Sequence, residues 1–596
     1  MSDLIVAQAY DHFRAKRYDQ ALALIRRGLE KDTNNLKLLD AYAQIAMHAG
    51  RHDIALFALE QAGRAMPWNA RIHMLSGEIE LRRDRFAVAE KHFRKAFEID
   101  PTNPNHGRCV CIAMYRDDRV DEAMAFARHL FATRPVDDET LALYASFCDL
   151  AGDLDEMIRV LKEQLRRSPN DLTSLQALLI PLARVHGMDP REVFNQHLRV
   201  SQVLSSIIDN KRDPNTPAHT NTPDPDRPLR VGYCSQDFRN RSAGHFIEPI
   251  ITHHDKSQFH VTLYHNVLGE DELTARLKSH AQGYRNVWGV DDKKMVEMIK
   301  KDGIDILVDL SGHTGCGRIV PFVVKPAPIQ YTYMGYPNTT GLPQIDFRIV
   351  DWHTDPAGSE HLATETLVRM DGCFLCYTPP HHAGPVKPAP ETANGFITFG
   401  SFNTLTKVSK HVLEVWAKVL QAVPNSRLLL KALALSSGNT KERIWNTLGG
   451  YGITRDRVTL LGETKGKDEH LDTYSKVDIA LDPWPYNGTT TTVEAMYMGV
   501  PVVTIAGNSH VSRVGVSLLT NLGTPELIAA DEADYVRIAA ELAGDKAKRL
   551  RLRDTLRAAV ENSVLCDHAG FTRRLEAHYR QSWGEWCEKK KANPTL

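Results

Sequence analysis

The chain has 596 residues, 42% of them hydrophobic and 25% charged, with 73 basic against 74 acidic side chains and a formal net charge of −1. Several domains are expected at that length, and so even a charge balance argues against nucleic acid or a membrane surface as the principal partner. No window approaches the ~18 apolar residues of a membrane span, the start lacks the basic-then-apolar order of a secretion signal, and the nine cysteines are scattered, so a cytoplasmic protein with reduced thiols is expected.

The first part is periodic. Pro67, Pro101, Pro135 and Pro169 stand 34 residues apart, which is the tetratricopeptide spacing. With each proline at position 32 of its repeat, the eighth positions are Ala9, Ala43, Gly77, Cys111 and Ala145. The twentieth positions include Ala21, Ala55, Ala89 and Ala123. Small side chains there let paired helices pack closely, and each proline stops a second helix. Five repeats from about Ser2 to Asn170 and a closing helical segment give an array over 1–208. Its groove suits a protein partner, and the same surface suits a dimer interface, a homo-oligomer through the repeats, or a scaffold. The sixth positions (Ala7, Ala41, Leu75, Cys109, Leu143) carry no asparagine ladder.

Residues 209–228 are rich in Pro, Asn and Asp and read as a linker. A β/α alternation follows over 229–377, with strands at Leu229–Cys234, Phe259–Tyr264, Ile304–Leu310 and Ile329–Met334. It predicts a doubly wound parallel sheet. Three loops follow strands of this half. They hold His245, His313 and the run Gly335–Gly341, and both histidines are candidates for handling a proton near neutral pH. A satisfied structural histidine is the other reading of each. Residues 378–395 form a second Pro-rich break. Residues 396–596 alternate again through Ile397–Phe399, Arg427–Leu430, Val458–Leu461, Ile479–Leu481 and Val502–Ile505, ending in helices. Two such halves imply a ligand cleft at the carboxyl ends of two sheets.

The second half holds the sharper signal. After Ile479–Leu481 come Tyr486-Asn487-Gly488 and four threonines, Thr489 to Thr492, at the start of a short helix. Free backbone N–H groups and the helix dipole make such a start an anion site, and a diphosphate is the expected anion. Glu494 is placed to accept hydrogen bonds from ribose hydroxyls. An ordinary Thr-rich helix cap suits the same residues. Lys407, four residues after Asn403, follows the first strand of this half and is placed to neutralise a leaving diphosphate. His470 is placed to stack on a base. No phosphate-loop lysine motif, G-x-G-x-x-G or H-E-x-x-H is present, and Asp478 and Asp482 have the wrong spacing for a metal loop. Positive charge and helix dipoles, with no metal and no resident cofactor, are therefore expected to stabilise the leaving group. Cys109, Cys111, Cys373 and Cys376 read as structural.

The repeat array followed by LRVGYCSQDF, ILVDLSGHT, KPAPIQYTYMGYPNTTG, FGSFNTLTK, DIALDPWPYNGTTTTVEAMYMGVPVVTIAG and GVSLLTNLG resembles the O-GlcNAc transferase/SPINDLY family. The resemblance implies a GT-B glycosyltransferase of two Rossmann-like lobes behind an α-helical tetratricopeptide array. It implies inverting, metal-independent transfer of a sugar from a nucleotide donor to Ser or Thr of an acceptor protein. The family's phosphate-contacting lysine falls on Lys407, its base-stacking histidine on His470, its diphosphate-loop threonines on Thr490 and Thr491, and its ribose-binding acid on Glu494. The donor set is completed by Asn403, Asn487, Gly488 and Thr489. Arg241 stands where family members often have a histidine, and Thr489 where the animal enzymes have one. The PYNGTTTT run sits closer to SPINDLY and bacterial members. UDP-GlcNAc is the first donor expected and GDP-fucose the alternative. A repeat scaffold with a lapsed transferase half is the reading from another class.

Overall fold

The computed structural model describes residues 2–593 apart from 134–137, 209–218, 316, 381–382 and 465. The chain forms two compact units, Met1–Ala151 and Gly152–Leu596. Among the described residues no helix is long and apolar enough to cross a membrane.

The first unit consists of helical hairpins. Ser2–Arg14 pairs with Tyr18–Leu29, Leu36–His48 with His52–Ala65, Ala70–Arg82 with Phe86–Ile99, and Pro104–Arg116 with Val120–Thr133, and Asp138–Leu150 follows. The small residues at period 34 explain the pairing. Ala9, Ala43, Ala21, Ala55, Ala89 and Ala123 are all buried, and a Cβ on Gly77 would come within 2.5 Å of the Phe93 ring. A second 34-residue rhythm lies in the turns between paired helices. Lys16, Gly50, Asp84 and Asp118 all have left-handed backbone, with φ between 56° and 71°. Three of the four are not glycine, and each accepts a cost of roughly 1 kcal/mol to close the hairpin. Pro135, one of the four periodic prolines, lies outside the described residues.

The second unit begins earlier than the array was expected to end. The helices Leu154–Arg167, Leu172–Ala183 and Pro190–Ile207 belong to it rather than to a separate array over 1–208. The reason is contact with the sheets that follow. His197 Nε2 lies 2.6 Å from the Tyr336 hydroxyl, Arg184 Nη1 donates to Thr406 Oγ1 at 2.6 Å, and a Cβ on Gly341, whose φ is +71°, would come within 2.6 Å of the His197 carbonyl oxygen. Of the expected linker 209–228, residues 209–218 lie outside the described residues.

Two parallel sheets follow. The first contains β1 (Leu229–Ser235), β2 (Phe259–His265), β3 (Gly283–Asn286), β4 (Ile306–Asp309), β5 (Ile329–Tyr333), β6 (Phe347–Asp351) and β7 (Thr366–Met370). Their order is β3-β2-β1-β4-β5-β6-β7. The second contains β8 (Ile397–Ser401), β9 (Ser426–Lys431), β10 (Val458–Leu461), β11 (Ile479–Leu481), β12 (Val502–Ile505) and β13 (Ile528–Ala529), in the order β10-β9-β8-β11-β12-β13. Each strand order reverses beside its first strand, between β1 and β4 and between β8 and β11. Doubly wound sheets open a ligand crevice at such switch points. β4 (ILVD) and β12 (VVTI), every residue of which is buried, fit strands covered on both faces. The helix His568–Ala592 does not stay with the second lobe, as the boundary 396–596 would have it. It packs on the first sheet, where Tyr331 donates to Ser582 Oγ at 2.9 Å and the Tyr233 and Tyr579 hydroxyls lie 3.3 Å apart.

The four cysteines read as structural behave so. Burial pushes the Cys109 thiol up to about 11 and the Cys111 and Cys373 thiols to about 12, and it raises Cys376 further.

Candidate functional site

The turn after β11 is built around Asp482. Its Oδ1 accepts from the Gly488 N–H at 2.7 Å, and its Oδ2 accepts from Thr504 Oγ1 at 2.7 Å. Asn487 is spent on the same turn. Its amide donates to the Pro483 carbonyl at 3.0 Å and accepts from the Gly515 N–H at 3.2 Å. Asn487 is therefore a buried scaffold residue, and the expectation that its side chain meets the donor is corrected. What it presents outward is its carbonyl, which accepts from Lys407 Nζ at 2.8 Å. Gly488 is dictated by space. A Cβ there would lie 2.6 Å from both Thr491 Oγ1 and Thr492 Oγ1 and 2.9 Å from Asp482 Oδ1.

That turn delivers the helix Thr490–Tyr497, with Thr489 at its N-cap. The N–H groups of Thr490 and Thr491 open the helix and have no intrahelical acceptor. The Thr491 hydroxyl donates to Asn403 Oδ1 at 3.0 Å, and the Tyr474 hydroxyl donates to the Thr491 carbonyl at 3.1 Å. So Asn403, just past the end of β8, fixes the start of the helix at Thr490. Lys407 lies half-buried over the Tyr486 ring, 4.5 Å from its centroid. Burial and the nearby Arg184 guanidinium pull the Lys407 ammonium below its ordinary range, and Asp482 opposes them. Burial raises Asp482 in turn.

His470 and Glu494 meet directly. The Lys431 ammonium has no acceptor, so at 2.6 Å it donates to His470 Nδ1. His470 Nε2 then carries the proton and donates to Glu494 Oε2 at 3.1 Å. Lys431, Nζ included, was missed in the sequence. It ends β9 at the carboxyl edge of the second sheet, and that position was the available signal.

A cavity of about 450 Å³ takes in His470, Thr490, Thr491 and Glu494 of these groups, while Asn403, Lys407, Lys431, Gly488 and Thr489 stand outside its lining. One wall is His470, Leu471, Thr490, Thr491 and Glu494. The other is Asn240, Arg241, Ser242 and His245 from the loop after β1, with Tyr377 and Pro380 between. His245 is the second residue of the helix Gly244–His253, and its carbonyl accepts from the Thr378 N–H at 2.9 Å.

His313 does not join them. Its Nε2 donates to the Thr340 carbonyl at 2.7 Å, leaving Nδ1 to accept from Gln176 at 3.1 Å. Burial pushes its pKa down to about 4. Both nitrogens are engaged, the ring is 4% exposed, and it is absent from the cavity wall. The expected proton-handling role for His313 is corrected to a structural one.

A protein-family model described as glycosyl transferase family 41 matches residues 146–381 and 389–575. The chain is 44% identical over 372 residues to the Arabidopsis thaliana protein named probable UDP-N-acetylglucosamine–peptide N-acetylglucosaminyltransferase SPINDLY, covering 62% of this chain and 41% of that one. It is 46% identical over 367 residues to the SPINDLY protein of Oryza sativa subsp. japonica, covering 61% and 40%. The chain thus spans about two fifths of the length of these curated relatives. Among solved structures, a mutant Thermobaculum terrenum O-GlcNAc transferase superposes with a TM-score of 0.74 at 32% identity, covering 93% of this chain and 98% of that one. These matches agree with the motifs that carried the sequence resemblance, and the two parallel lobes behind helical hairpins agree with its fold: the chain belongs to glycosyl transferase family 41.

Proposed function

We propose that this chain is an inverting protein O-glycosyltransferase that moves GlcNAc from UDP-GlcNAc to Ser or Thr hydroxyls of an acceptor protein. The observation that carries the reading is the cavity in which Thr490, Thr491, Glu494 and His470 face His245 and Arg241. The donor diphosphate lies against the N–H groups of Thr490 and Thr491, with Lys407 supplying positive charge. Lys407 has three N–H donors and uses one on Asn487, so two remain for phosphate oxygens. Glu494 takes the ribose hydroxyls, and His470, aligned by Lys431, takes the base.

In the transfer step the acceptor oxygen forms a bond to the sugar's anomeric carbon as the bond from that carbon to the diphosphate oxygen breaks. The hydroxyl proton passes to His245, the imidazole on the first-lobe wall. The electron pair leaves on the diphosphate, where the helix start and Lys407 count most because charge grows there in the transition state. The leaving group thus has protein partners for its charge and needs no metal. The repeats present the acceptor protein.

The test is thermal unfolding of the purified protein with UDP, GDP, UDP-GlcNAc and GDP-fucose, since a ligand that binds the folded state raises the midpoint by mass action. Stabilisation by the uridine pair alone is expected. Stabilisation by the guanosine pair alone would replace the donor with GDP-fucose, a reading favoured by the PYNGTTTT loop. No shift with any of the four would overturn the donor site and favour the scaffold.

A further inference from the structure

Outside the cavity, three side chains converge without a part in the transfer step. His186 comes from the turn between the helices Leu172–Ala183 and Pro190–Ile207, His411 from the first turn of Lys410–Ala422, and Glu532 from the first turn of Glu532–Gly544. One ligand atom of each lies within 4.8 Å of the other two. His411 Nε2 is 2.5 Å from Glu532 Oε1, and His186 Nε2 is 3.9 Å from the same oxygen. The two imidazoles stack with centroids 3.7 Å apart and an interplanar angle of 25°.

We propose that His186, His411 and Glu532 hold a divalent cation of the zinc type, which braces the last helical hairpin against the second lobe. Two imidazole nitrogens and one carboxylate oxygen are a donor set suited to Zn²⁺ and its neighbours. Small side-chain rotations bring atoms this close to the ~2.0–2.2 Å of zinc bonds. A hydrogen-bonded cluster accounts for His411 and Glu532 only, because 3.9 Å leaves His186 beyond hydrogen-bond reach. A cation between the three uses all of them. Glu532 also lines a cavity of about 790 Å³ with Asp531, Lys418 and Trp484. Gly187, with φ at +74° and open space around it, makes the turn that carries His186.

The brace is structural but near the donor loop. Arg184, two residues before His186, holds Thr406 beside Lys407. Trp484, between Asp482 and Asn487, meets the His411 ring edge-on at 6.2 Å.

The experiment uses the full chain stripped with EDTA and titrated calorimetrically with Zn²⁺, with thermal unfolding and Co²⁺ absorption as second readouts. One ion per chain is expected, with a raised unfolding midpoint and the absorption of tetrahedral Co²⁺. His186→Ala, whose side chain is exposed, and Glu532→Gln should each weaken binding by more than the roughly 10- to 100-fold that losing an outer-shell partner costs. His260→Ala, an exposed histidine elsewhere, should leave binding unchanged. No binding of Zn²⁺ would overturn the proposal, and so would undiminished one-to-one binding in His186→Ala and Glu532→Gln. Neither readout depends on transferase activity.

Discussion

The two walls of the cavity are built differently. On the second-lobe wall nearly every group is fixed before any donor arrives: Asp482 holds Gly488, Asn403 holds Thr491, and Lys431 aligns His470 on Glu494. On the first-lobe wall Asn240, Arg241 and Ser242 are exposed on a loop between β1 and the helix at Gly244. A preorganised wall suits a constant ligand, because no reorganisation is needed as charge develops. An open loop suits acceptors that vary in shape. The donor side is therefore expected to respond to substitution through binding and turnover together, and the acceptor side through turnover alone.

Lys407→Ala should have the largest effect, a fall in kcat of about 10²- to 10³-fold as for the loss of an oxyanion partner, with an unchanged far-UV spectrum. Turnover near that of the parent would remove the lysine from the mechanism. His245→Ala should lower kcat by about 10²-fold, the low end for a lost proton acceptor, while nucleotide affinity stays constant. A joint loss of affinity would erase the contrast between the walls, and unchanged kcat would shift the proton to a donor phosphate oxygen.

Gly488→Ala tests the preorganised wall through packing. The added methyl meets three oxygens, and overpacking typically costs about 1–3 kcal/mol, to be read as a lower unfolding midpoint and weaker nucleotide binding. Thr491→Val removes one hydrogen bond to Asn403. At roughly 0.5–1.5 kcal/mol nucleotide affinity should fall about 2- to 10-fold by calorimetry, and no change would show that Asn403 does not set the loop.

The smallest effect on turnover is expected from His313→Gln, whose amide keeps a donor for Thr340 and an acceptor for Gln176. Its signature is in the pH dependence of stability. His313 is held down to about 4 and the adjoining His197 to about 3, whereas both titrate near ~6.5 when unfolded. Their contribution is complete above about pH 6.5 and is lost as pH falls toward 4, because the unfolded chain binds the protons. Chemical denaturation of His313→Gln between those values should show a shallower loss than the parent. An identical profile would mean His313 is not held neutral by the fold.

Much of this was legible in residues close together in sequence. The 34-residue prolines and alanines, the short buried runs of β4 and β12, and the Gly-Thr turn into the helix at Thr490 each act locally, and local pattern reports them. β3 (GYRN) and β13 (two residues) offered no apolar run to find. His245 and His313 looked alike because both follow central strands. What separates them is Gln176, 137 residues before His313, and no short-range pattern encodes such a partner. The same holds for the helices at 154–207. Their period continues the array, but contacts such as His197 with Tyr336 assign them to the unit that follows.

The helix at His568–Ala592 covers a sheet whose strands end at Met370. During synthesis the Tyr233 and Tyr331 face must therefore wait for about two hundred further residues to leave the ribosome. At roughly 5–20 residues per second that delay lasts on the order of ten seconds or more, during which an apolar sheet face is open to chaperones or to a neighbouring nascent chain. Of the two lobes the first is begun first and completed last, so its maturation, unlike that of the repeats, waits on the helix at His568–Ala592.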